Sequence, residues 1–425
     1  MPKRFDFEAL EMAARRVALK LAATAIESKL NADHTDHAGA WLACACGKPA
    51  RYAGRRDKPL GTVLGPMRLS RAYYHCAACE AGFCPRDRAM GIEATDISPA
   101  VTRMVGIVGA MMSFEKGAEI LLELAAIELC TKHVERAAET LGAEIADDER
   151  AHVQRDSEAA PEVTMYCGID GTGIPMRASE LVDRAGKQPD GSAKTREVKL
   201  CAIFTAEARD KHGKPVRDEG SATYSAAIES AASTDKAEVP SEFAQRVLRE
   251  ARRRGFDLAR RQAVIGDGAL WIWALADMEF PNATQIVDIF HAKEHLSELA
   301  KALHGSDARR CDEWAEQRHR ELDDGRMDDL LQALDQHVQA NKQAQKCRTY
   351  FWRNRHRMRY PEFRAAGLCV STGVVEAACR TVVGERLKCS GMHWTVRGAN
   401  AIAALRCSRL SQQRFSDFWD RRAAA

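Results

Sequence analysis

The chain of 425 residues has no uninterrupted apolar run long enough to cross a bilayer, so no membrane-spanning helix is expected. It has no internal repeat, which argues against a solenoid or propeller, and no low-complexity tract of the kind that stays unfolded. The opening segment, MPKRFDFEALEMAARR, carries acids and lacks the apolar stretch of a secretory signal, so the cytoplasm is the expected location. A strong net charge is missing too: +3 by itself points to no particular partner. Most of the 14 cysteines stand alone on apolar segments, as Cys130, Cys201, Cys379 and Cys407 do. That is how small core residues of a reducing compartment are placed, and it argues against a disulfide scaffold.

What is present is the composition of a soluble globular protein, 45% hydrophobic and 29% charged, with length for two to four domains. Charge is segregated along the chain: from Lys346 to the end there are 16 Lys/Arg against 5 Asp/Glu, which leaves the rest at −8. A basic C-terminal region of this kind is compatible with a polyanionic partner. The expected organisation is α/β and multidomain: an N-terminal helix (1–40), a cysteine-bearing module (41–90), a helical segment with linker (91–160), a strand-rich core (161–291), an all-helical insertion (292–370) and a C-terminal part (371–425).

Cys44-Ala-Cys46 and Cys76-Ala-Ala-Cys79 are close thiol pairs separated by a stretch that alternates like a hairpin, TVLGPMRLSRAYYHC. Two such pairs on tight turns can meet at one tetrahedral zinc. Cys84 is a spare thiol able to replace Cys44 or Cys46, and a metal-free hairpin is the competing reading. Lys48, Arg51, Arg55, Arg56, Lys58, Arg68 and Arg71, with Tyr73 and Tyr74, suit phosphate contacts in the same module, or simply a solvated face. Further on, a turn near 127–131 precedes a helix opening Thr131-Lys132-His133 with Arg136 one turn on. This is either a DNA-reading helix-turn-helix or a plain bundle.

From residue 161 the pattern changes to β-β-β-α-β-α-β. A first strand is expected to stop at Asp170 and a later one at Asp267, each acid followed by glycine. Carboxylates at the ends of adjacent strands point into one crevice and repel unless a cation lies between them, which suits Mg²⁺. In STGVVEAACRTVVGERLKCSGMHW a helix capped by Ser371 or Thr372 carries Glu376 one turn in, with Arg380 a turn beyond. A third acid there would complete a two-metal site for phosphoryl transfer, whereas alone it would only complement the helix dipole. The alternating arginines of TYFWRNRHRMRYPEFR, including Arg353 and Arg357, cannot all be buried on one helix, so several are expected to face solvent or phosphate. Trp394 and Arg397 follow Glu376, the indole suited to stacking on a base or to a core position.

The strand order, the helical insertion and the stretches GPMRLSRAYYHCAACEAGFCPRD, GIDGTGIPMR, IGDGALWIW, QIVDIFHAKEHL and YPEFRAAGLCVSTGVVEAACRTVVGERLKCSGMHWTVRGANAIAALRC resemble the ISKra family of insertion-sequence transposases over nearly the whole length. The resemblance implies a ribonuclease-H-like core in which Asp170, Asp267 and Glu376 hold two Mg²⁺ (or Mn²⁺) ions. It also implies a D-x-x-H signature at Asp288 and His291, with His291 either positioning phosphate or water or only capping local structure. Arg380 is the candidate contact to the scissile phosphate. The implied activity is cleavage and strand transfer at terminal inverted repeats, by a homodimer or larger assembly acting on nucleoid DNA. The alternatives are an inactive, zinc-dependent DNA-binding regulator and a nuclease of the same fold without strand transfer.

Overall fold

The computed structural model describes residues 6–155, 163–182, 184, 186, 188, 191–229, 241–371, 373–411 and 413–424. It is a mixed α/β protein that divides into two units, 1–141 and 142–425, the division falling within one helix. No helix among the described residues is long and apolar enough to cross a membrane.

The first unit opens with α1 (Phe7–Ala32), whose N-terminus is capped by the Asp6 carboxylate accepting from the Ala9 amide. Four antiparallel strands follow, β1 (Trp41–Ala43), β2 (Pro49–Thr62), β3 (Gly65–His75) and β4 (Gly82–Phe83), in that spatial order. Short β4 pairs only with Tyr74 and His75, leaving most of one edge of β3 uncovered by strand. Side chains cover it instead: the amides of Arg68, Ser70 and Ala72 donate to Glu27, Asn31 and Asp36 at 2.8, 2.8 and 2.7 Å. Donors that would invite another chain are thereby satisfied. Helices α2 (Pro85–Ala89), α3 (Pro99–Met111), α4 (Phe114–Ala125) and α5 (Thr131–Ala151) follow. Ser113 caps α4, and Ala126 ends it in the left-handed region at φ 56°, just before the turn expected near 127–131. Residues 143–160 read as either a linker or a solvated helix; α5 runs to Ala151, so their first part is helical, and 156–162 lies outside the described residues.

The second unit is built on β5 (Thr164–Pro175), β6 (Thr195–Thr205), a small hairpin β7 (Ala208–Arg209) and β8 (Pro215–Val216), β9 (Thr223–Ala227), α6 (Glu242–Arg253), β10 (Arg261–Gly266), α7 (Leu270–Glu279) and β11 (Thr284–Val287). The main sheet has the order β11-β10-β5-β6-β9. β10 is parallel to both its neighbours and β6 antiparallel to both of its own. The expected helical stretch is α8 (Ile289–His304), α9 (Ala308–Asp323), α10 (Met327–Asp335), α11 (Lys342–Asn354) and α12 (Tyr360–Ala365). Then α13 (Gly373–Ala378) passes through a π-helical turn, Cys379–Gly384, into α14 (Glu385–Leu387), and the chain ends in α15 (Val396–Leu410) and α16 (Arg414–Ala424).

Two expectations need correction. The first strand does not stop at Asp170: β5 continues to Pro175, paired with β6 throughout, and only its pairing with β10 ends, at Gly266↔Ile169. Nor is the C-terminal region a free basic tail. Arg414 is buried on Glu250 and also reaches Glu149, Arg421 pairs with Asp148 at 2.5 Å, and Arg422 pairs with Glu144 at 3.0 Å. The segregated charges are partly the two halves of one internal ion-pair network, so they overstate the exposed positive surface.

Gly168 shows how α13 is seated. A Cβ on it would lie 1.9 Å from Cγ2 of Val375, so helix and strand touch with no room between them. Gly168→Ala is expected to lower stability by about 1–3 kcal/mol through overpacking. A denaturant midpoint equal to that of the parent would contradict this.

Candidate metal centres and nucleic-acid surface

Cys44 and Cys46 lie in the turn from β1 to β2, closed by the Gly47 amide donating to the Cys44 carbonyl at 2.9 Å. Cys76 and Cys79 lie in the turn from β3 to β4, closed by the Cys76 amide on the Ala81 carbonyl at 2.9 Å. The turns face each other: Cys44–Cys79 and Cys46–Cys76 have sulfurs 3.6 Å apart, and all four sulfurs lie within 4.8 Å of one another. The edge of a ZnS₄ tetrahedron is about 3.8 Å, given Zn–S bonds of about 2.3 Å, so the donor set fits a structural zinc. Amide donation from Cys79, with a further one from Ala78, brings the Cys76 thiol down to about 7. The Ala81 amide also lowers Cys79, but the neighbouring sulfurs outweigh it and hold that thiol at about 12. Four thiolates cannot coexist here without a cation. Cys84 is no alternative ligand: it is buried at the N-cap position of α2, outside the group.

In the second unit, Asp170 and Asp267 are the residues immediately beyond the last β5–β10 pair, so they emerge side by side. Asp170 and Gly168 share a face of β5 by the two-residue alternation, and α13 lies on that face. Val375 covers Gly168, and one turn on Cys379 donates its thiol to Asp170 Oδ2 at 3.3 Å. Burial raises the Asp170 carboxyl above its ordinary range and the Asp267 charge adds to this; the Gly171 amide, Cys379 and His291 act the other way. A carboxylate pair under mutual repulsion is a chemically sensible seat for a cation. Glu376 is exposed in the first turn of α13. The three acids do not come together as the cysteines do, the tetracysteine group being the only such cluster among the described residues. Of its possible caps, Ser371 is described and Thr372 lies outside the described residues.

Around the acid pair, Asp288 is buried and caps α8, its Oδ1 accepting from the amides of Phe290 and His291 at 2.6 and 2.9 Å. His291 is half-buried and 3.6 Å from Glu294. Sequence reasoning missed three neighbours. Cys379 stands at i+3 from Glu376. His295 stands one turn after His291, with ring centroids 4.9 Å apart, and the H-x-x-x-H spacing on a helix was the available signal. Tyr350, on α11, packs its ring 4.4 Å from His295 and donates its hydroxyl to the Asp267 carbonyl at 2.9 Å, a contact across 83 residues that no local pattern announces. Gly268, at φ +99°, would place a Cβ 2.5 Å from the Tyr350 ring. Gly268→Ala is therefore expected to cost about 1–3 kcal/mol of stability, from backbone strain and the clash. An unshifted thermal midpoint would show that Tyr350 does not brace the turn.

The cations predicted to meet DNA divide in two. Arg68, Lys132, Arg136, Arg353, Arg380 and Arg397 are exposed, Arg68 lying 4.0 Å from Asp57 and Lys132 2.9 Å from Glu135. Arg71, Arg357 and Trp394 correct the expectation. Arg71 is buried in an ion pair with Asp87. Arg357 donates to Gln285 at 2.6 Å and lies over Trp273. Trp394 is buried with its indole N–H on the Leu387 carbonyl at 2.9 Å, so its core reading holds. The partners of Arg71 and Arg357 lie 16 and 72 residues away, which spacing along the chain does not reveal, whereas that of Trp394 is only seven residues back.

Fold and sites together define a mixed α/β protein with a tetracysteine module fit for zinc and two aspartates that follow the last β5–β10 pair. No family model matches the chain, and no curated protein matches it either.

Proposed function

We propose that the chain is a DNA transposase of the insertion-sequence type. One observation carries the reading: two aspartates emerge side by side where parallel pairing ends in a sheet of order β11-β10-β5-β6-β9, and an acid-bearing helix lies across the same face. That order and orientation support a ribonuclease-H-like core, with 292–370 as its helical insertion. Asp170, Asp267 and Glu376 would hold two Mg²⁺ or Mn²⁺ ions, which supply an activated nucleophilic oxygen and charge stabilisation at the leaving oxygen. Glu376, being exposed, is free to turn inward. His291 and Arg380 orient the phosphate, and Asp288 holds the start of α8 in place. The zinc module and α4–α5 read the terminal inverted repeats through Arg68, Lys132 and Arg136, while Arg353 and Arg397 contact backbone near the site, in a homodimer or larger synaptic assembly.

The separation of Glu376 from the acid pair favours one second reading, a zinc-dependent DNA-binding regulator without catalysis. Labelled DNA from either side of the gene, incubated with the protein and Mg²⁺, separates the readings. Cleavage with joining to a second duplex supports the transposase, cleavage alone a nuclease, and binding without cleavage the regulator.

A further inference from the structure

Beside the Asp267 turn lies a groove of ≈ 390 Å³ between the start of α7 and one face of α11. Its floor is Gly268 and Tyr350, the latter holding the Asp267 carbonyl. Its rim carries Lys346, Thr349 and Arg353 from α11 and the exposed Leu270 from α7. No acid lines it, and neither Lys346 nor Arg353 has an ion-pair partner among the described residues. Arg348, on the same helix, is by contrast neutralised by Asp335 at 2.9 Å. Two cations with no ion-pair partner among the described residues, on a concave surface that no acid lines and that begins one residue from a candidate catalytic acid, form a local positive field.

The spacing identifies the occupant. Lys346 and Arg353 are seven residues apart, two helical turns, or about 10.5 Å along the axis. One phosphate cannot bridge that span, whereas successive phosphates of a strand can. Thr349 lies between them, and with Leu270 and the side-chain amide of Gln345, which line the same groove, it suits a sugar and a base edge. We propose that this groove binds the nucleotides flanking the scissile phosphate on the same DNA strand, with Lys346 and Arg353 on their phosphates. The inference rests on the transposase reading for the position of the scissile phosphate.

The test uses the full chain and a short mixed-sequence DNA strand followed by fluorescence anisotropy across a salt series. In the double variant Lys346→Ala, Arg353→Ala, binding weakens and the slope of log K against log salt falls by about 1.4, two single-strand phosphate contacts at about 0.7 each. The matched loss of two exposed cations elsewhere in the same unit, Lys211→Ala with Lys301→Ala, leaves the slope in place. Independently of any variant, saturating strand protects Lys346 from acetylation and leaves Lys301 reactive. An unchanged slope, an equal fall in the control, or a Lys346 that stays reactive under saturating strand overturns the proposal. Neither readout involves cleavage. Lys346 protection with no Mg²⁺-dependent cleavage sinks the transposase reading and leaves a strand-binding groove, whereas cleavage with Lys346 unprotected sinks the groove alone.

Discussion

Replacing Asp170 by Asn is expected to abolish metal-dependent DNA cleavage, by about 10³-fold or more, while making the fold more stable at neutral pH. The rate effect follows from losing one of the two adjacent carboxylates that would hold the ions. Several kcal/mol of charge stabilisation go with it, and each 1.4 kcal/mol is tenfold. The stability effect follows from the sign of the Asp170 shift. Burial, with Asp267 beside it, raises the carboxyl above the ordinary 3.8, so the folded state binds this proton more tightly than the unfolded chain does. Its contribution to stability is therefore fully present below pH 3.8 and is lost as pH rises through the raised value. A neutral amide removes that loss, so the gain in melting temperature appears at neutral pH and vanishes in acid. Mg²⁺ should raise the melting temperature of the parent, by the equivalent of about 2.7 kcal/mol at a hundredfold excess over Kd, and leave the variant where it was. Thermal scans at the two pH values, with and without Mg²⁺, read both effects beside the cleavage assay. Cleavage that survives in Asp170→Asn would remove the acid pair from the mechanism.

Stripping the tetracysteine module of its metal, or replacing Cys76 by Ser, is expected to unfold residues 41–90. The apolar cluster around the ligands is small: Cys44, Ala50, Ala72, Tyr74 and Cys76, with Leu42, Tyr52 and Phe83 against it, and the far end of the hairpin adds only Leu60 and Leu69 packed with Ile92. Two of its buried members are themselves ligands, and a core of that size does not stabilise a fold unaided. Structural zinc contributes about 10–16 kcal/mol in zinc-finger peptides, enough to decide whether such a module folds at all. Elemental analysis should find one zinc per chain in the parent and none in Cys76→Ser. Chelation should abolish the near-UV signal of Tyr52, Tyr73 and Tyr74 and open the β2–β3 hairpin to protease. Because the main sheet of the second unit holds none of these ligands, its helical and strand signal should persist. A chain that carries no zinc and keeps its tyrosine signal under chelator would refute the assignment.

Several features were legible in the residues because their causes are local. The cysteine pairs announce themselves by turn spacing and the strands by alternation or apolar runs. Gly266-Asp267-Gly268 was likewise readable as an acid on a turn. Asp170 was read wrongly as a strand end, since β5 pairs on one edge and not on the other beyond Ile169. An amino-acid pattern does not distinguish the two edges of a strand.

The sequence by itself determined the elements, their order, the thiol pairs and the candidate acids, because each depends on neighbours within a few residues. Only the tertiary structure decided which charges remain available. It turned Arg71, Arg357, Arg414 and Arg421 inward onto distant partners, left Lys346 and Arg353 unpaired beside Asp267, and set Glu376 apart from the two aspartates. The physical reason is that an ion pair or a metal shell is a matter of a few ångströms in space. Partners such as Arg414 and Glu250 lie 164 residues apart along the chain, and nothing in either segment alone encodes their meeting.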